Sequence, residues 1–323
     1  MSDFTPWECP HSACPSRSAE GPAFRHRRRG HYGRACDGKR VQRYECLVCR
    51  RRFSRQSFRN DHRHRRPEIN IPILLALESK VTQRQIARTL KCNRKTVARR
   101  VPLYGAHFEA AHKRELAKTG LEGPFVFDEL ETYEQNRIEK PVTVAVIVDK
   151  DTGFIVHVEC GTLPSRDKSR GDRGRKSQSR AVVRSCLEAV EAHRAPDSAL
   201  TLFSDQKATY PKLISETCSG SVLHVRISGK ARRNTENPLF RINHNFAMMR
   251  DGISRLVRRN WGYSKKLECK QAHFWIYVGY KNYVRPYTNK DQKPSAASKL
   301  GVSPRRYSLA EATAWKGRLS LVG

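Results

Sequence analysis

The sequence predicts a multidomain α/β chain, and three observations carry that prediction. Two short cysteine pairs stand within the first 49 residues, a helical apolar period begins near residue 81, and from residue 124 the period becomes that of strands. Two of those strand-like runs end in an aspartate, "GPFVFDELETYE" at Asp128 and "SALTLFSDQKATY" at Asp205. The expected layout is a zinc ribbon with a basic arm (1–66), a helical DNA-binding domain (67–118), a mixed-sheet domain (119–290) and a C-terminal tail (291–323).

Charge bounds the partner. The chain of 323 residues holds 63 Lys and Arg against 31 Asp and Glu, a formal net charge of +32. Self-repulsion on that scale is relieved by a polyanion, and nucleic acid gains further from counterion release at each phosphate contact. A polybasic membrane-surface protein would carry an amphipathic or lipidated anchor, which the sequence lacks. No apolar run approaches the length of a membrane span. The start, "MSDFTPWECP", lacks the charged and apolar regions of a secretory signal. Five of the ten cysteines lie before residue 50 and the others stand singly, which points to a metal module in a reducing compartment.

In the first module, "WECPHSACP" supplies Cys9 and Cys14, and "QRYECLVCRRRFS" supplies Cys46 and Cys49. Two knuckles of this kind close a tetrahedral zinc sphere. Cys36 and His11 are alternatives for one ligand. So polar a segment has little apolar material for a core and depends on a metal to fold. Its basic runs, "RHRRRG" and "RRRFSRQSFRNDHRHRR", alternate with Phe53 and Phe58, a pattern of phosphate contacts with aromatic anchors; residues 59–66 read equally well as a disordered basic arm.

After Pro67, "INIPILLALES" starts a short helix, and "VTQRQIARTLKCNRKTVARRV" fits a helix-turn-helix. Thr82 is the expected N-cap with Gln85 completing a capping box. Ile86, Ala87 and Leu90 form the inner face, and Lys91-Cys92-Asn93 makes the turn. The second helix starts near Arg94 with Val97 and Val101 inward. Arg94, Lys95, Thr96, Arg99 and Arg100 then face outward as donors for phosphates and guanine edges. Residues 105–118 read as a separate connecting helix.

The third domain opens with three antiparallel strands, "FVFDELETY", "PVTVAVIVD" and "FIVHVEC". A mobile basic loop (165–180), an amphipathic helix, the strand ending at Asp205 and a fifth strand, "SVLHVRI", follow. The order β-β-β-α-β-(α)-β-α is that of a ribonuclease H-like sheet, in which the first and fourth strands are neighbours. That would bring Asp128 and Asp205 together, as two-metal phosphoryl transfer requires. A helix over "NPLFRINHNFAMMRDGISRL" places Asn243, Arg250 and Asp251 nearby. Residues 228–238 read as a flexible loop, and the aromatic stretch 273–287 as a helix packed on the sheet. The tail starts disordered and ends in a short helix from Ser308.

Five stretches together resemble the insertion-sequence-one family of bacterial DDE transposases. They are "QRYECLVCR", the helix-turn-helix, Asp128-Glu129, Ser204-Asp205 through Tyr210, and residues 250–283, where "RDGISRLVRRNWGYSKKLE" and "IYVGYKNY" are the most specific. The resemblance spans most of residues 40–285. It implies metal-dependent cleavage and strand transfer of an insertion sequence, with Asp128 and Asp205 holding Mg2+ or Mn2+. The family's catalytic glutamate falls on Asn243, and Arg250, seven residues on, matches a basic residue that meets a phosphate. Asparagine offers only a neutral carbonyl oxygen; Glu236, Asp251 and Glu268 are the alternatives for the third ligand. The implied partners are double-stranded DNA, both element ends and target, and a second copy of the chain in the synaptic complex, within a bacterial cytoplasm. The competing reading is a catalytically inactive, transposase-derived DNA-binding regulator.

Overall fold

Nine consecutive residues, Pro141–Asp149, form a strand buried along its whole length, which only a sheet covered on both faces allows. It is the second strand (β5) of a five-stranded mixed sheet with order β6-β5-β4-β7-β8. The others are β4 (Phe125–Tyr133), β6 (Ile155–Thr162), β7 (Leu200–Asp205) and β8 (Val222–Ile227). The first three are antiparallel in sequence order, while β4 pairs parallel with β7 and β7 parallel with β8. The first and fourth strands of this sheet are therefore neighbours, as the sequence predicts.

The computed structural model describes residues 4–34, 38–167, 169, 174–232, 234–257 and 262–321. Packing divides the chain into two units, Met1–Pro67 with Ala314–Lys316, and Glu68–Thr313 with Gly317–Gly323. The first unit holds a three-stranded antiparallel sheet, β1 (His26–Gly33), β2 (Arg40–Cys46) and β3 (Arg52–Ser54). Its small core consists of Cys9, Cys14, Tyr44, Cys46, Phe53, Phe58 and Trp315. Phe53 and Phe58 are thus core residues and not the exposed aromatic anchors expected of them. The basic run near residue 27 forms β1.

In the second unit, α1 (Asn70–Leu77), α2 (Gln83–Thr89) and α3 (Arg94–Leu116) precede the sheet. Thr82 caps α2 in a capping box with Gln85, as its sequence predicts, and Asn93 caps α3 through Lys95 N–H. The two helices expected at 94–101 and 105–118 are one. Pro102 removes a single i→i−4 donor, but packing on both sides of it keeps the helix continuous. Close approach to α7 (Leu267–Gly279) explains Gly105: a Cβ there would lie 2.6 Å from the Ala272 carbonyl oxygen.

α4 (Ser179–Glu191) and α5 (Tyr210–Thr217) contribute to the core on one sheet face, together with Phe125, Phe127, Leu200 and Leu202. α6 (Phe240–Gly252) and α7 cover the other, meeting Val126, Leu130 and Val142 to Val148 in alternation. The aromatic stretch expected to pack on the sheet does so through Phe274, Trp275 and Tyr277.

By packing, residues 68–118 fall with the second unit, as does the segment 291–323 apart from Ala314–Lys316, which fall with the first. The tail is not disordered: Val302, Tyr307, Leu309, Ala312 and Leu319 join the core. Within it lie α8 (Ala296–Lys299) and the short helix expected from Ser308, α9 (Leu309–Ala312), capped by that serine. No described helix is long and apolar enough to cross a membrane.

Candidate active site and metal centre

The thiols of Cys9, Cys14, Cys46 and Cys49 all lie within 4.8 Å of one another. The Sγ–Sγ separations are 3.7 Å for Cys9–Cys49 and 3.8 Å for Cys14–Cys46. Zinc–sulfur bonds of about 2.3 Å in a tetrahedron put sulfurs about 3.8 Å apart, so the four thiols could hold one metal ion, at a spacing consistent with zinc. Each pair sits on a turn: Cys14 N–H donates to His11 O (3.1 Å), and Arg50 N–H to Cys46 O (2.9 Å). His11 lies outside the group, its Nε2 3.4 Å from Arg52 O, and the alternative Cys36 lies outside the described residues.

The aspartates are placed by strand register. β4 and β7 run parallel with Val126 opposite Phe203, their last paired position, and the same register continued two residues on puts Asp128 level with Asp205. Side chains two apart share a face. Val126 and Phe203 both pack into the core beneath α6 and α7, which assigns Asp128 and Asp205 to that same face. Their proximity shows electrostatically. Burial pushes the Asp128 carboxyl up, the charges of Asp205 and Glu129 add to this, and it reaches about 6 despite a hydrogen bond from Glu129 N–H. Asp205 accepts from Lys207 N–H at 3.0 Å.

Glu129 points to the opposite face, where it accepts from Thr143 Oγ1 (2.8 Å), Tyr210 OH (3.1 Å) and Lys207 Nζ. Lys207 also donates to Ser179 Oγ at 2.9 Å. This network ties the turn after Asp205 to the strand carrying Asp128. Sequence reading missed Lys207 and Tyr210 as its members, although Tyr210 ends one of the motif stretches.

Asn243 lies on α6, over the face that carries both aspartates. Its Nδ2 donates to Leu239 O at 3.0 Å, which leaves Oδ1 as the available end of the amide. Arg250, two helical turns on, lines a small cleft of about 200 Å3 with Glu131, Tyr133, Arg137 and Arg166. Glu236 accepts from Asn234 at 3.1 Å, Asp251 is 89 % exposed with Lys80 3.7 Å away, and Glu268 is 73 % exposed beside Lys266. Among the described residues no third His, Cys, Asp or Glu joins Asp128 and Asp205 in a metal-sized group. His244 is exposed and stacks on Phe240.

Four of the five outward residues expected on α3 are placed consistently: Arg94, Lys95 and Arg99 are exposed and Thr96 half-buried. Arg100 is not. It is buried, donates through Nε to Asn70 Oδ1 at 2.8 Å, and burial lowers its pKa. Two cations that sequence reading missed, Arg84 and Arg88 on α2, join Lys91 and Arg94 around a cleft of about 870 Å3. The four-residue spacing of Arg84 and Arg88 was the available signal, because it puts the two on one face of α2, with Lys91 following in the turn.

No known protein-family model matches the chain, and no curated protein is significantly similar to it.

Proposed function

We propose that the chain is a metal-dependent DNA strand-transfer enzyme of the DDE-transposase type, built on a ribonuclease H-like sheet and acting on the ends of an insertion sequence. The observation that carries this reading is the pair Asp128 and Asp205, level on adjacent parallel strands and facing the same helix. Two partly buried carboxylates on one face, with Asp128 held toward its protonated form by burial and then by the charge of Asp205, are a donor set short of positive charge, and hard oxygen donors suit Mg2+ or Mn2+. Asp128 and Asp205 would hold the metal, with Asn243 Oδ1 as a neutral third donor. When bound, such ions supply charge stabilisation and activation of the attacking oxygen in phosphoryl transfer. The chain's own residues do the remaining work. The Glu129–Lys207–Tyr210 network holds the Asp205 turn, Arg250 presents a cation for a phosphate, and Arg94, Lys95 and Arg99 face the duplex. The zinc module adds a second basic surface, and synapsis of two ends calls for a second copy of the chain. A bacterial cytoplasm is the setting this reading implies.

One observation favours the second reading, an inactive DNA-binding regulator: the third position is a neutral amide, and among the described residues no third acid joins Asp128 and Asp205 in a metal-sized group. Both are decided by incubating purified protein with duplex carrying the element ends and Mg2+ or Mn2+. The enzyme reading expects nicked or joined product, abolished by Asp205→Asn while duplex affinity is retained. Equal inertness of wild type and Asp205→Asn, with equal binding, leaves the regulator.

A further inference from the structure

The first unit carries a second cluster of cations that its zinc site does not use. A cleft of about 560 Å3 is lined by Arg43, Arg52, Arg63, His62 and Lys316, with Tyr32 in its wall. That volume is in the range of ligand-binding clefts. No carboxylate lines it. The nearest acid in sequence, Asp61, is held by Arg59 through two bonds of 2.8 and 2.7 Å. Among the described residues none of the cleft's Arg and Lys side chains forms an ion pair. Four fixed positive charges facing one space repel one another, and an anion relieves that repulsion.

The wall is built for more than charge. Arg43 lies over the Tyr32 ring at 4.9 Å, and Tyr32 OH meets Ser54 Oγ at 3.3 Å. The guanidinium is therefore oriented by an aromatic face, while its hydrogen-bond donors stay open to the cleft.

Lys316 comes from the far end of the sequence. Trp315 is buried in the small core, Lys316 N–H donates to Phe58 O at 2.9 Å, and Asn60 N–H donates to Ala314 O at 3.2 Å. Lys316 Nζ donates to Ser57 O at 2.9 Å, which spends one of its three protons and fixes the ammonium at the rim. The C-terminal segment thus completes a site begun by the zinc module.

We infer that this cleft binds phosphodiester groups of duplex DNA, with Arg43, Arg52, Arg63 and Lys316 as contacts. The inference rests on the DNA-acting function proposed above and adds a site to it. The test uses full-length, zinc-loaded protein and a labelled mixed-sequence duplex, with affinity measured across a salt series. Arg43→Ala, Arg52→Ala and Lys316→Ala should each make the slope of log K against log salt less negative by roughly 0.9 per lost contact. Zinc content should stay at the wild-type value and Lys316→Arg should restore the slope. Slopes equal to wild type in all three alanine variants overturn the assignment. So does saturable binding of inorganic phosphate alone, lost in Arg43→Ala with duplex affinity unchanged, since the cleft would then serve a free small anion. A wild-type protein that binds no duplex sinks the DNA-acting function itself.

Discussion

Asp128 titrates near pH 6 because burial, then the charges of Asp205 and Glu129, oppose its ionisation. Replacing Asp205 by Asn removes one of those charges and leaves burial in place, so the Asp128 pKa should fall part of the way toward the ordinary carboxylate value. Carbon-13 NMR titration of the carboxyl reads this directly, and an unmoved pKa would mean that the two side chains do not face each other. His107 and His112 make a separate pH prediction. Burial lowers them from 6.5 to about 4 and about 3, and both are held neutral. His107 bonds Ala312 O at 2.6 Å and accepts from Gly317 N–H at 3.1 Å; His112 bonds Val156 O and Tyr283 OH, each at 2.9 Å. Below pH 6.5 the unfolded chain takes up protons that the folded one refuses. Stability is therefore full above that pH and falls by up to about 1.4 kcal/mol per unit and per histidine on the way down to 4 and 3. Urea unfolding at stepped pH, compared with His112→Gln, measures the slope. At this scale the aspartates and the Thr82 cap were legible because each rests on local pattern. Arg100 was not. It stands three residues after Val97 on the inward stripe, but arginine reads as solvated until Asn70, thirty positions earlier, is known to receive it.

Among elements, the α3–α7 crossing is the most demanding contact. A Cβ on Gly279 would stand 2.1 Å from the Phe108 ring, so Gly279→Ala should destabilise the second unit by about 1–3 kcal/mol through overpacking. Chemical denaturation of Gly279→Ala, and of Gly279→Ala with Phe108→Leu, checks this: partial recovery in the double variant is expected, and a neutral single variant would contradict the contact. The sheet order was readable because β5 is apolar but for Thr143 and Asp149 and the order of strand and helix runs around it is that of the expected sheet. The single helix α3 was not, since Pro102 and Gly105 read locally as a break, and the Ala272 backbone that needs a glycine beside it lies far along the chain. The tail misled for a similar reason. Its composition is that of a disordered segment, yet Tyr307, Leu309 and Leu319 are spaced to fill gaps left by distant elements.

For the whole molecule, the two units should fail separately. Three of the seven buried residues in the first unit's core are metal-site cysteines, so stripping zinc should open residues 1–67 while the five-stranded sheet persists. Hydrogen exchange before and after chelation separates the two, and uniform protection in both states would argue against a metal-dependent fold. Deleting residues after Thr313 should loosen the same unit, because Trp315 belongs to its core. The first dependency was readable along the sequence, as two cysteine pairs in a segment with little apolar material; the second was not, since nothing near residue 315 announces that Trp315 joins the first unit's core.

The continuity of α3 has one more consequence. Its first two turns present Arg94, Lys95 and Arg99, and its later turns are locked into the sheet domain by Gly105 against Ala272 and by His112 on Val156. Lys80 N–H, just before α2, also donates to Gly252 O at the end of α6, at 2.7 Å. The span is about 34 Å of unbroken helix, a rod without slack. If the proposed strand-transfer function holds and the exposed end registers a particular sequence, the scissile bond lies at a set offset and a set angular phase around the duplex. Mapped cut positions should then fall on a single phosphodiester rather than scatter over neighbours, and scatter would mean that the ruler bends.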